Sequence, residues 1–215
     1  MLKNLIYKEF RLNIIGWAYL WFLCVLLLLI PSWVFFVAVA YILFFFMLAT
    51  QMDKANNDLA FALSLPIPKV AIVTARACTL VIIEVIILIL MVPLCILRYF
   101  IYPTGNELPM NTNIAFFGFM LVMFATYNIV YLTNAYSRAY RMLLPMLGGY
   151  LAALVVGGGL TLMPTVIPSL SVLNDRGLGN LGYQMAVLAL GVLLYGGLTY
   201  LAHRKASANF IKVDL

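Results

Sequence analysis

Between Leu12 and Met52 the chain runs for 41 residues without Asp, Glu, Lys or Arg. As one helix, at about 1.5 Å per residue, that run would reach about 60 Å, twice the roughly 30 Å hydrocarbon core of a bilayer. It must fold back once, and Pro31-Ser32 supplies a tight turn. Further charge-free runs cover Leu108 to Ser137, Met142 to Asn174 and Gly177 to His203, and Ala77 to Ile101 is broken only by Glu84 and Arg98. With 66% hydrophobic and 9% charged residues, the composition excludes an ordinary water-soluble domain. The spacing predicts an all-α integral membrane domain of six helices at about 14–30, 33–51, 77–101, 114–133, 143–162 and 181–202, leaving no room for a soluble domain.

Orientation follows from where the cations fall. Lys3, Lys8, Arg11, Lys54, Lys69, Arg76, Arg138, Arg141, Arg204, Lys205 and Lys212 flank one side of these spans, and Arg98 and Arg176 flank the other. Both termini and the loop 52–76 are therefore expected in the cytoplasm of a multi-pass plasma-membrane protein. The net charge of +6 belongs to helix flanks and implies no nucleic-acid partner. The apolar run after Arg11 is too long for the core of a cleavable signal peptide, so the first helix is expected to stay.

Catalytic chemistry finds little to build on. His203 is the one histidine, and H-E-x-x-H, G-x-S-x-G and the Walker pattern G-x-x-x-x-G-K-[ST] do not occur. No metal site and no catalytic residue is expected, and if ATP is used another chain binds it. Cys24, Cys78 and Cys95 fall inside predicted spans and read as small packing residues.

Charge buried in a span usually marks function, because it is expensive there. Glu84 lies eight residues past Arg76, about 12 Å along a helix, and Asn128 lies ten residues before Arg138. Their similar depth predicts a hydrogen bond from Glu84 to Asn128 or Tyr131, either as a fastener between helices or as part of a cytoplasm-facing cavity. Gly148, Gly149, Ala152 and Ala153 permit close helix approach, which makes the fifth span either a dimer interface or a kinked lipid-facing helix.

Two cytoplasmic segments carry more specific signals. At 100° per residue, Lys3, Asn4, Tyr7, Lys8 and Arg11 share one face of an amino-terminal helix, and Leu2, Leu5, Ile6, Phe10 and Leu12 the other. This is an interfacial amphipathic helix, yet Glu9 falls within its apolar face, which implies a buried protein contact. In the loop 52–76, Asn57 or Asp58 can cap a short helix through Leu63 or Ser64, and Pro66 and Pro68 stop it. Leu59, Phe61, Leu63 and Leu65 give that helix an apolar surface suited either to docking on another protein or to packing on its own spans.

The Lys8-Glu9 pair in Ile6-Tyr7-Lys8-Glu9-Phe10-Arg11 and the loop Asn57-Asp58-Leu59-Ala60-Phe61-Ala62-Leu63-Ser64-Leu65-Pro66-Ile67-Pro68-Lys69, set in six spans, resemble permeases of the ABC-2 type. The resemblance implies an exporter of two permease chains, identical or paralogous, and two separate ATP-binding subunits that hold ATP and Mg. Residues 1–13 would form the connecting helix. The loop 52–76 would carry the coupling helix, with Asp58, Leu59, Phe61, Leu63 and Leu65 facing the ATPase and Glu9 contacting the coupling region. Glu84, Asn128 and Tyr131 would belong to the cavity. The small size and slight outer loops look like the subgroup that exports phenol-soluble-modulin-like cytolytic peptides, and in such permeases a short re-entrant element often precedes the last span, here within 163–180. The alternative reading is a substrate-binding membrane module or secondary carrier. It would need an outer polar pocket, for which Asn174, Asp175, Arg176, Asn180 and Gln184 are the candidates.

Overall fold

The computed structural model describes residues 1–14, 16–31, 33–43, 56–102, 110–137, 143–176 and 178–213, the side chains of 16–18 and 178 excepted. Helices account for nearly all of it: α1 (Leu2–Lys8) continuing as a π-helix (Glu9–Asn13), a 3₁₀ helix (Gly16–Leu29), α2 (35–43), α3 (Asp58–Ser64), α4 (Lys69–Ile101), α5 (Ile114–Ala135), α6 (Leu143–Val166) and α7 (Leu181–Ile211). Four of these, α4 to α7, are long and apolar enough to cross a membrane. Their outward faces carry residues such as Ile89, Phe100, Leu151, Val155 and Leu193, each more than half exposed. Such surfaces require lipid rather than water.

The first expected span takes an unexpected form. Its 14 residues wind as a 3₁₀ helix, whose rise of about 2.0 Å per residue stretches them to about 28 Å, close to the bilayer core. Three residues per turn put every third side chain on one face. Leu20, Leu23 and Leu26 accordingly face outward, whereas Val25 and Leu28 are buried and Phe22 packs on the core. In α2, Phe35, Ala38, Val39 and Ile42 form the buried stripe of a helix. The remainder of the second expected span, 44–51, lies outside the described residues.

α5 is the central helix. It is apolar on every side, and Phe116, Met120, Met123, Phe124, Tyr127 and Tyr131 are all buried. Its most extensive contact is with α7, and the next with α6. Backbones meet at the α5/α7 crossing: a Cβ on Gly191 would sit 2.5 Å from the Gly118 carbonyl oxygen, and one on Gly118 would sit 2.7 Å from that of Val187. Only glycine fits both positions.

The small residues of the expected fifth span serve the same purpose within the chain. A Cβ on Gly149 would meet Tyr127 and Tyr131 at 3.3 Å, one on Gly157 would meet the Met123 sulfur at 2.6 Å, and Ala153 is fully buried. Gly149, Ala153 and Gly157 thus face α5, whereas Gly148 is exposed and Ala152 is half-buried.

Boundaries shift where the sequence lacks a stop signal. α4 starts at Lys69 rather than 77, directly after Pro68, because nothing between Lys69 and Arg76 breaks a helix. α7 runs to Ile211 rather than 202, since Ala202, Ala206 and Phe210 continue one buried face at four-residue spacing. Within 163–180, α6 ends at Val166 and two 3₁₀ turns, Pro168–Asn174 and Leu178–Asn180, lead into α7.

Candidate functional site

The amino-terminal segment and the loop helix meet at one end of the bundle. α1 and its π-helical continuation bury Leu5, Glu9 and Asn13, so Glu9 points inward with its neighbours one turn away. Its carboxylate pairs with the Arg76 guanidinium of α4 (Nη2 to Oε2, 2.9 Å) and accepts a hydrogen bond from Asn13 Nδ2 at 3.1 Å. The same Asn13 nitrogen donates to Asp58 Oδ2 at 3.1 Å. Lys8 Nζ donates to both Asp58 oxygens, at 2.6 and 2.7 Å. Two cations and two carboxylates therefore balance in a junction that joins α1, α3 and the second turn of α4. Buried charges are tolerated when paired and hydrogen-bonded in this way.

Asn57 opens α3 in the left-handed region at φ 50°, a conformation Asn tolerates better than most residues. Its side chain makes no cap bond, and that of Asp58 turns back to Lys8 instead. This choice fixes the faces of α3. Asp58 and Ala62, one turn apart, are buried; Leu59 and Leu63 are half-buried against the core; Phe61 at 57% and Leu65 at 37% are exposed. Of the residues expected to face a partner, Phe61 and Leu65 are exposed, Leu59 and Leu63 are half-buried and Asp58 is an internal tie; Glu9, expected to contact the coupling region, is joined to Asp58 through Asn13. Reading the sequence missed Asn13 and Arg76. Asn13 was legible as a polar residue four positions past Glu9 at the head of an apolar run, and Arg76 had been assigned only to a helix flank.

A second polar cluster lies deep between α4, α5 and α7. Tyr195 Oη donates to Glu84 Oε2 at 2.6 Å, and Asn128 Nδ2 donates to the same oxygen at 3.0 Å and to Thr199 Oγ1 at 3.2 Å. Glu84 and Asn128 are fully buried. Tyr131 is buried too, but it stacks on Tyr127, with ring centroids 5.4 Å apart, instead of bonding Glu84. None of the three is open to solvent, so the group fastens three helices in this conformation. Tyr195 and Thr199 went unrecognised. Their signal was depth, since Tyr195 precedes His203 by the same eight residues that separate Arg76 from Glu84.

At the opposite end the loops are stitched by amides. Asn111 and Asn113 bond the backbone and side chain around Leu173 to Asp175, and Gln184 Nε2 donates to the Asp175 carbonyl at 2.8 Å. Arg98 Nη1 donates to the carbonyls of Leu28 (2.8 Å) and Ile30 (3.1 Å), which closes the end of the 3₁₀ helix. Among the described residues no cluster of His, Cys, Asp and Glu could hold a metal ion.

A family model for ABC-2 family transporter proteins matches residues 4–202. No curated protein and no solved structure gives a significant match.

Proposed function

The chain belongs to the ABC-2 transporter family and is a membrane permease subunit of an ABC transporter, and from that premise we propose that it is an export permease driven by separate ATPase subunits. The reading rests above all on α3, which presents Phe61 and, just past its end, Leu65 outward while Asp58 on its other face is ion-paired to Lys8, whose neighbour Glu9 is paired in turn to Arg76 of α4. A helix held so firmly can pass on a push received at its exposed apolar side. In this reading α3 is the coupling helix, α1 with its π-helical continuation is the connecting helix, and both termini lie in the cytoplasm with the ATPase.

Six spans complete the proposed topology, the 3₁₀ helix and the segment begun by α2 being the first two. The turn at Pro168–Asn174 stands where a re-entrant element would. Two permease chains would enclose the pathway, and alternating access would follow ATP binding and hydrolysis on the partner chains, which hold ATP and Mg. Amphipathic or hydrophobic cargo, with cytolytic or antimicrobial peptides foremost, suits a chain whose expected outer loops are short. Glu84 and Asn128 would then be exposed to the pathway only when α4 and α7 separate.

The carrier or binding-module reading has one observation in its favour, a concave space of about 140 Å³ at the end opposite the termini, whose lining includes Arg98, Arg176 and Gln184. That is below the roughly 300 Å³ at which small-molecule sites begin. The exporter reading is therefore preferred.

The decisive experiment purifies the tagged chain from its native membrane in mild detergent. A stoichiometric P-loop ATPase should accompany it and be lost from Phe61→Ala/Leu65→Ala. A chain that purifies without an ATPase under every mild condition would overturn the exporter reading.

A further inference from the structure

α7 is 31 residues long, about 46 Å at 1.5 Å per residue, so it projects well beyond a bilayer core of about 30 Å. The projecting part, from His203 onward, is not a loose tail. Asn209 Nδ2 donates to the Thr133 carbonyl at 3.1 Å. Thr133 lies in the last turn of α5, where carbonyls have no partner within their own helix. Phe210 is fully buried and meets the Tyr136 ring edge-on, with centroids 5.0 Å apart. His203 Nε2 and Thr74 Oγ1 of α4 are 2.9 Å apart.

Lys69 shows the same attachment from the other side. It is the first residue of α4, where the helix dipole disfavours a cation. Its ammonium instead reaches the carboxyl end of α7, donates to the Val213 carbonyl at 2.7 Å and lies 5.8 Å from the centre of the Phe210 ring. Only four residues separate α3 from Lys69, so the point where the loop re-enters the bundle is tied directly to the last span.

We infer that residues 203–213 form a strap through which movement of α3 reaches α7 and α5 as well as α4. Lys69, Asn209 and Phe210 are its positioning residues. The inference deepens the permease reading and rests on it: a push on α3 enters the bundle at two helices at once, the helices that hold Glu84 and Tyr195. Without the strap, less of the movement would reach α7, and the far ends of α4 and α7 would shift together less.

The test uses the complete complex with its ATPase in lipid nanodiscs, after Cys24, Cys78 and Cys95 are replaced by Ser. Spin labels at Phe100 and Tyr183, both exposed and at the end away from α3, report the distance between α4 and α7 with and without ATP and vanadate. Vanadate trapping should change that distance. Phe210→Ala and Lys69→Gln should each keep ATPase assembly and ATP hydrolysis while cutting the change at least twofold, and Lys69→Arg should restore most of it. A full change in both variants would overturn the strap, as would a loss in Lys69→Gln that Lys69→Arg leaves unrepaired. Failure of the unaltered chain to bind any ATPase would overturn the permease reading instead, which separates the two claims. Should Phe210→Ala not fold, Asn209→Ala takes its place.

Discussion

Two junctions hold this bundle together by opposite means. Where α5 and α7 cross at Gly118 and Gly191, the contact is made by backbones that touch. Where α1, α3 and α4 meet, four charged side chains and one amide carry the contact. The difference follows from the surroundings. Within lipid, burying apolar surface gives no advantage to association, so close packing of small residues must supply the attraction. At the end of the bundle, charges that are paired and hydrogen-bonded to one another can be buried and hold the elements together.

That contrast can be broken experimentally. The largest effect is expected from Gly191→Leu, whose side chain must displace backbone at 2.5 Å; overpacking costs about 3 kcal/mol or more, and heat-induced aggregation in detergent should show a collapse of the folded fraction. Next comes Asp58→Ala, which leaves Lys8 only its longer pairing to Glu9, at 3.6 Å. Removing one partner of a buried pair costs about 3 kcal/mol, somewhat less here because Lys8 is part exposed. The double variant Lys8→Met/Asp58→Leu should recover most of that stability in the same assay, and failure to recover would show that the junction needs charge for folding itself.

Smaller effects sharpen the comparison. Tyr195→Phe removes one hydrogen bond to Glu84 and should cost about 1.5 kcal/mol, whereas Glu84→Gln keeps an acceptor oxygen for Tyr195 and Asn128 and should cost less than about 1 kcal/mol. Equal losses in a chemical-denaturation series would mean that the carboxylate does more than fasten helices. Phe61→Ala should change stability by less than about 0.5 kcal/mol, because the ring is 57% exposed, yet weaken ATPase association at least tenfold in a binding titration. Unchanged association would move the docking surface away from α3.

Much of the fold was legible. The length of charge-free runs dictated an all-helical membrane chain, and Glu9 on an apolar face announced a buried polar contact before any partner was known. The Asn57 to Pro68 segment declared a short helix through its turn residues and prolines. The partners were not legible: Arg76 looked like any flanking cation, and Tyr195 like any aromatic in a span. Composition offered the small residues of α6 as a dimer interface or a kinked lipid-facing helix, without showing that Gly149, Ala153 and Gly157 pack on α5 or that two glycines 73 positions apart bring α5 and α7 together.

The sequence by itself determined that the chain lives in a bilayer and which residues are too costly to bury alone, because those follow from transfer energies and local backbone preferences. Only the tertiary structure decided which charges answer each other, which glycines touch, and that the last helix runs on past the bilayer to hold Lys69. Those are matters of which helix faces meet, and a face becomes specific only when another backbone stands opposite it.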